Sequence, residues 1–208
     1  MKTKIYLIRH TQTTGNLEHR LTGRDRFEIT KDGYKYIDLL TEKLKNIKFD
    51  NIYSSTSYRA IKTVEKLANL NKLEIKTSDK FCEMYFGAYE GKKWDEVNII
   101  NPQIKIDKDR TNEIMGIPGQ ESSQEVADRM YAKIREISKK NLGKTILISS
   151  HGIAIEAFLR KITKIPFTQM IQEYSQKNAT INILEYDDTE DKFDLIVLND
   201  YSHIFKEG

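Results

Sequence analysis

The sequence of 208 residues holds a single cysteine, Cys82. An intrachain disulfide is therefore excluded, and with it the stapled folds of small secreted proteins. One cysteine cannot build a thiolate zinc cluster either, and it points to a reducing, cytoplasmic home. Long hydrophobic runs are missing: no stretch approaches the roughly 18 apolar residues that cross a bilayer. The start, Met-Lys-Thr-Lys-Ile-Tyr-Leu-Ile-Arg-His, meets charge soon after a short apolar run and has no small-residue cleavage site, so it reads as a first strand rather than a signal peptide. Only three prolines occur, and no proline-rich linker, low-complexity tract or internal repeat divides the chain. Charge of one sign is not in excess. The formal net charge is +3 and spread out, which gives no case for nucleic acid, though a few clustered arginines can still serve a small anion.

What is present is 38% hydrophobic and 31% charged residues, the composition of a soluble globular protein. The length suits one α/β domain over residues 1–208 better than two. Short apolar segments rich in β-branched and aromatic residues predict strands at Lys4–Ile8, Asn51–Ser54, Leu73–Lys76, Thr145–Ser149, Thr180–Tyr186 and Phe193–Leu198. Helical stripes lie between them: Ile37, Leu40, Leu44 and Ile47 after Thr30; Ile61, Val64 and Leu67 after Ser57; Val126, Met130, Ile134 and Ile137 after Ser122. Ser122-Ser123-Gln124-Glu125 has the form of a capping box, and Gly143 is expected to stop the helix that it opens. The alternation predicts a three-layer α/β/α sandwich on a mostly parallel sheet. The turn-like run Asp187–Asp191 makes a hairpin of the last two strands, so the sheet is mixed. Residues 91–119 are the least periodic and read as a surface excursion over one end of the sheet.

Two histidines stand in matching places. His10 follows the first predicted strand and His151 the fourth, each at the carboxyl edge where open α/β sheets form their ligand crevice. His151-Gly152 also opens a helix, whose N-terminal amides favour an anion. A lone histidine there is more often a strand-end residue bonded to backbone; a matched pair, the first directly after Arg9, shifts that balance. Arg59 lies where a strand gives way to a helix and faces the same edge, or is a solvated first-turn arginine. Glu83 sits in the aromatic-rich run Phe81–Gly91, and a carboxyl among so many apolar side chains is a candidate for a raised pKa and for proton donation. Asn16 and Gly23 follow His10 in a loop or short helix, where ordinary turn chemistry also accounts for them.

Together these residues resemble the histidine phosphatase superfamily, the phosphoglycerate-mutase-like proteins, over essentially the whole chain. The resemblance rests on Arg9-His10-Thr11-Gln12-Thr13 with Asn16, and on Tyr53-Ser54-Ser55 with Arg59-Ala60 and Thr63. It continues through Glu83, Phe86-Gly87 and Glu90-Gly91, Pro118-Gly119-Gln120-Glu121-Ser122 and Ser150-His151-Gly152. Asn178, Leu198-Asn199-Asp200 and His203 also match. It implies a phosphoglycerate-mutase-like sandwich with His10 as nucleophile, Glu83 as acid, and Arg9, Arg59 and His151 stabilising charge. It further implies a phosphate site drawing on Arg9, Asn16, Gly23, Arg59, His151 and Gly152. A phosphomonoester carries up to two negative charges, which two arginines can meet by bidentate contacts. A neutral imidazole attacks phosphorus without an activating base, and the arginines stand in for metal ions. No metal or other cofactor is called for. The partner implied is a small phosphorylated metabolite, with no nucleic acid and no membrane; a homodimer is left open.

The chain departs from the family pattern at three points. Thr11 replaces a glycine beside the nucleophile, and Arg26 and Glu28 replace an acidic residue and a proline near the substrate mouth. These put substrate identity in question rather than reaction type. Arg24 and Arg26 are solvated loop charges or reach a second anionic group. His19 and His203 read as non-catalytic, Cys82 as a small buried hydrophobe. Trp94 anchors the excursion or faces the pocket; Tyr85 and Tyr89 are packing or pocket wall. The reading is a phosphatase acting through phospho-His10. Its rivals are a mutase and a non-catalytic phospholigand-binding domain. Mutases of this family tend to carry a larger insertion than the modest 91–118 gap, and sensors tend to lose the nucleophile or acid that His10 and Glu83 supply.

Overall fold

The computed structural model describes residues 1–100 and 118–204. Its centre is a six-stranded sheet built from β1 (Lys2–Arg9), β2 (Asn51–Ser54), β3 (Ile75–Thr77), β4 (Thr145–Ser150), β5 (Ile181–Asp187) and β6 (Lys192–Asp200). The spatial order is β3-β2-β4-β1-β5-β6. The first four run parallel, while β5 and β6 pair antiparallel as the expected hairpin, so the sheet is mixed. Helices α1 (Thr14–Leu17), α2 (Lys31–Leu44), α3 (Tyr58–Asn71), α4 (Trp94–Ile100), α5 (Ser123–Lys139), α6 (Gly152–Thr163) and α7 (Phe167–Glu173) connect the strands.

Alternation along β1 explains the two-sided core. Ile5 and Leu7 point into one cluster with Ile146 and Ile148 of β4, where Val126, Met130 and Ile134 of α5 meet Ile155, Phe158 and Leu159 of α6. Tyr6 and Ile8 point the other way with Leu147, against Leu40 and Leu44 of α2 and Val64 and Leu67 of α3. A strand covered on both faces cannot spare a polar position, which is why Ile5–Ile8 reads as an unbroken apolar run. Burying each such side chain contributes on the order of 1.5–3 kcal/mol. Among the described residues no helix is long and apolar enough to cross a membrane.

Some expectations shift. β3 is Ile75–Thr77, one or two residues later than Leu73–Lys76. Lys72 adopts left-handed backbone at φ 55° and spends the start of that segment on ending α3. α5 stops at Lys139, and Gly143 serves instead the turn into β4, with φ 78° and its amide donating to Lys2 O. The excursion begins with a helix, α4, whose first amide donates to His19 O; its stretch 101–117 lies outside the described residues.

Candidate active site

β1 and β4 are neighbours in register, Arg9 opposite Ser150, so the residue after each strand reaches the same point. Those residues are His10 and His151, whose ring centroids lie 5.1 Å apart at 56°. The His10 amide donates to Ser150 O at 2.9 Å, tying the two strand ends together. Its Nδ1 lies 2.6 Å from Thr11 O. A carbonyl can only accept, so Nδ1 carries the proton and Nε2 keeps its lone pair. Burial, then the charges of Arg59 and Arg9, hold His10 well below the ordinary histidine range, so the ring is neutral at neutral pH. The same causes in the same order, with His10 itself between the two arginines, hold His151 well below that range. Its Nε2 lies 2.7 Å from Ser55 Oγ.

The two guanidiniums are fixed from the far side. Arg59 opens α3 and donates to three backbone carbonyls: Asp25 O at 3.0 Å, Thr22 O at 2.8 Å and Gly23 O at 2.8 Å. Arg9 donates to Gln176 O. Burial lowers the pKa of both below the usual arginine value. Arg9 Nε, Arg59 Nε and His151 Nδ1 are buried and have no hydrogen-bond partner.

Glu83 is 6% exposed, but its setting differs from the expected apolar one. Its carboxylate faces the start of α6, where Oε1 accepts from Ala154 N at 3.0 Å and Oε2 from Ile153 N at 3.2 Å. Oε1 also accepts from Met84 N at 2.9 Å. Glu83 thus caps α6, and two of the amides expected to face an anionic ligand are already engaged. Gly152 is needed for close approach: a Cβ there would lie 3.3 Å from Arg9 Cζ and Nε. Gly23 packs on a carboxylate, and a Cβ would fall 1.9 Å from Glu90 Oε1. Asn16 Oδ1 accepts from the Thr13 amide and hydroxyl, each at 3.0 Å, and from Asn178 Nδ2 at 3.2 Å. Asn178 Nδ2 also donates to His10 O and Thr11 O at 3.2 Å.

A cavity of about 300 Å³ opens beside these residues, with Arg9, Asn16, Glu83, Gly152, Phe86 and Trp94 in its lining. Trp94 therefore both packs on the core and faces the cavity, joining two readings that were alternatives. Arg26 is a solvated loop charge, stacked over Tyr58 with its guanidinium carbon 4.5 Å from the ring centre and its Nε 3.8 Å from Glu28 Oε1. The Thr11 hydroxyl is turned away from the site and donates to Gly33 O at 2.6 Å. Among the described residues no three His, Cys, Asp or Glu side chains are grouped to hold a metal ion. Sequence reasoning missed Glu156, a buried carboxyl on the cavity wall that accepts from Gln176 N at 2.9 Å. Burial pushes it up to about 7. It lies one turn into α6 from His151, a spacing that could have flagged it.

Known proteins resemble this chain along most of its length. A family model described as histidine phosphatase superfamily (branch 1) matches residues 5–200. Phosphoglycerate mutase-like protein 4 of Arabidopsis thaliana is 27% identical over 210 residues, which cover 99% of this chain and 88% of that protein. The structure of YhfR from Bacillus stearothermophilus superposes with a TM-score of 0.90 at 26% identity, covering 98% and 100% of the two chains. Phosphoserine phosphatase from Entamoeba histolytica, in complex with 3-phosphoglyceric acid, superposes at 0.83 and 26% identity with the same coverage. With its paired strand-end histidines, their two arginines and a match spanning nearly every residue, the chain belongs to the histidine phosphatase superfamily, branch 1.

Proposed function

We propose that this protein is a metal-independent phosphatase that hydrolyses small phosphomonoesters through a phosphohistidine on His10. One observation carries the reading: Arg9 Nε, Arg59 Nε and His151 Nδ1 are buried without partners beside a neutral imidazole. Each buried polar group left unpaired costs about 1–3 kcal/mol. A phosphoryl group, with three equatorial oxygens and net negative charge, satisfies all three at once.

In the first step His10 Nε2 attacks phosphorus in line and the bond to the leaving oxygen breaks; Glu83 enters this step as the carboxylic acid, gives that oxygen its proton and becomes the carboxylate that the α6 amides hold. Arg9, Arg59 and His151 stabilise charge on the equatorial oxygens. In the second step water attacks the phosphohistidine, Glu83 takes its proton, and phosphate leaves with His10 restored. The amides of Asn16 and Gly152 and the backbone at Gly23 complete the phosphate site. The cavity of about 300 Å³ takes the alcohol part of a small metabolite.

The test uses para-nitrophenyl phosphate. The wild-type protein should turn over in excess chelator and, when quenched in base, carry an acid-labile phosphate. His10→Ala should lose at least about 1,000-fold in kcat and carry no phosphate while unfolding at the same temperature. Retained turnover in His10→Ala, or loss on chelation, would overturn the mechanism. A mutase is the second reading, favoured by the name of the Arabidopsis relative. It requires the phosphoenzyme to return its group to bound alcohol faster than to water, which a parallel assay of phosphoglycerate interconversion measures.

A further inference from the structure

Glu83 is restrained at its backbone as well as at its carboxylate. The restraint comes from Arg129, on the face of α5 that looks toward the loop between β3 and α4. Arg129 Nη2 donates to Glu83 O at 3.1 Å and Nη1 to Lys80 O at 2.9 Å. The same guanidinium forms a two-point pair with Glu121, Nε to Oε1 at 2.6 Å and Nη2 to Oε2 at 2.9 Å. Glu121 is joined in turn to Tyr85: its amide donates to Tyr85 O at 2.9 Å, and its Oε2 accepts from Tyr85 N at 3.3 Å. The two side chains are 10% and 17% exposed, so this is not a solvated surface pair of the kind that contributes little.

The loop needs such a tie. Between Thr77 and Phe86 its only regular structure is the single 3-10 turn Asp79–Phe81. No sheet ladder sets where Glu83 stands. A planar guanidinium directs its N–H groups along fixed lines, so four acceptors on one fork define the curvature of the loop from Lys80 to Glu83. An ammonium group at the same place has neither the span nor the fixed directions.

We infer that Arg129, seated by Glu121, is a positioning residue that sets the carboxyl of Glu83 against the leaving oxygen of the substrate. This rests on the reading of Glu83 as the proton donor. Displacing a catalytic group by about 1 Å can cost on the order of 100-fold. The loss falls on substrates that need the proton, since a poor leaving group depends on it and a good one does not.

The experiment compares wild type, Arg129→Lys, Arg129→Gln, Glu121→Gln, Glu83→Gln and the double variant Arg129→Gln/Glu83→Gln on para-nitrophenyl phosphate and on an alkyl phosphate of equal charge. Arg129→Lys keeps the positive charge near His151, so a selective loss in it reports geometry. Both Arg129 variants should lose at least about tenfold more kcat on the alkyl ester than on the aryl one. In the Glu83→Gln background that selectivity should vanish. Equal losses on the two esters, or a selective loss that persists in the double variant, would show a merely structural role. Should Arg129→Gln fail to fold, Arg129→Lys and Glu121→Gln carry the same comparison. An Glu83→Gln variant that slows both esters equally gives a separate result, removing the acid reading and this inference with it.

Discussion

Thr11 occupies the place where the family pattern has glycine, directly after the candidate nucleophile. Its amide donates to Thr63 Oγ1 at 2.8 Å and its hydroxyl to Gly33 O, so it docks the His10 loop onto α3 and α2. Nothing in the isolated sequence shows which way that hydroxyl turns. The histidines were legible because both end strands; the surroundings of Glu83 were not, because two of the three amides that meet its carboxylate belong to residues 70 and 71 positions later. Arg129 was illegible for a related reason: one arginine on a helix face reads as solvated until the loop it clamps is seen. Gly152 gives the prediction for this scale. Gly152→Ala adds a Cβ 3.3 Å from the Arg9 guanidinium, which must then give way. KM for a phosphate ester should rise roughly tenfold, about 1.4 kcal/mol, at unchanged thermal stability. An unchanged KM would separate Arg9 from phosphate binding.

Elements were legible where their cause is local. The Ser122–Glu125 capping box forms at the start of α5 with Ser122 N donating to Glu125 Oε2 at 2.7 Å. Strands β1, β2 and β4 follow their apolar runs to within two residues. α7 escaped notice because seven residues are too few to show a helical period, and α4 for the same reason. What joins the elements is carried by aromatic packing between distant segments. Phe158 of α6 meets Phe193 of β6 edge to face, with centroids 5.4 Å apart at 84°. Phe193 is also met by Tyr131 of α5 at 5.6 Å. Phe158 is fully buried, so Phe158→Ala should cost about 3–5 kcal/mol in urea unfolding at unchanged slope. A loss below about 1 kcal/mol would mean that α6 is held chiefly by its capped end.

At the scale of the molecule, stability should bend with pH in two directions. Glu156 holds its proton to about pH 7 in the folded chain, against an ordinary value of 4.5. Between those values the folded state binds more protons than the unfolded one, so this group lowers stability as pH rises through the window. His10 and His151 act oppositely. Their folded values lie well below 6.5, so the unfolded chain takes up protons first on acidification and stability falls as pH drops below that point. Glu156→Gln keeps an acceptor for Gln176 N and removes the charge. Relative to wild type it should gain about 2.5 kcal/mol between pH 5 and pH 8, measured by urea unfolding. Parallel pH curves for the two proteins would refute the Glu156 contribution.

The pairing of Arg9 with Ser150 has one more consequence, for divergence. The interval between the two histidines is set by adjacent parallel strands, which lie about 4.8 Å apart whatever side chains they carry. Drift in the core can reshape packing without altering that interval, because main-chain hydrogen bonds and not residue volumes measure it. A chain that shares only 26% of its residues with YhfR and still superposes at a TM-score of 0.90 is what such a backbone ruler allows. The loops are then free to change, while the histidine pair keeps its spacing by inheritance of the sheet alone.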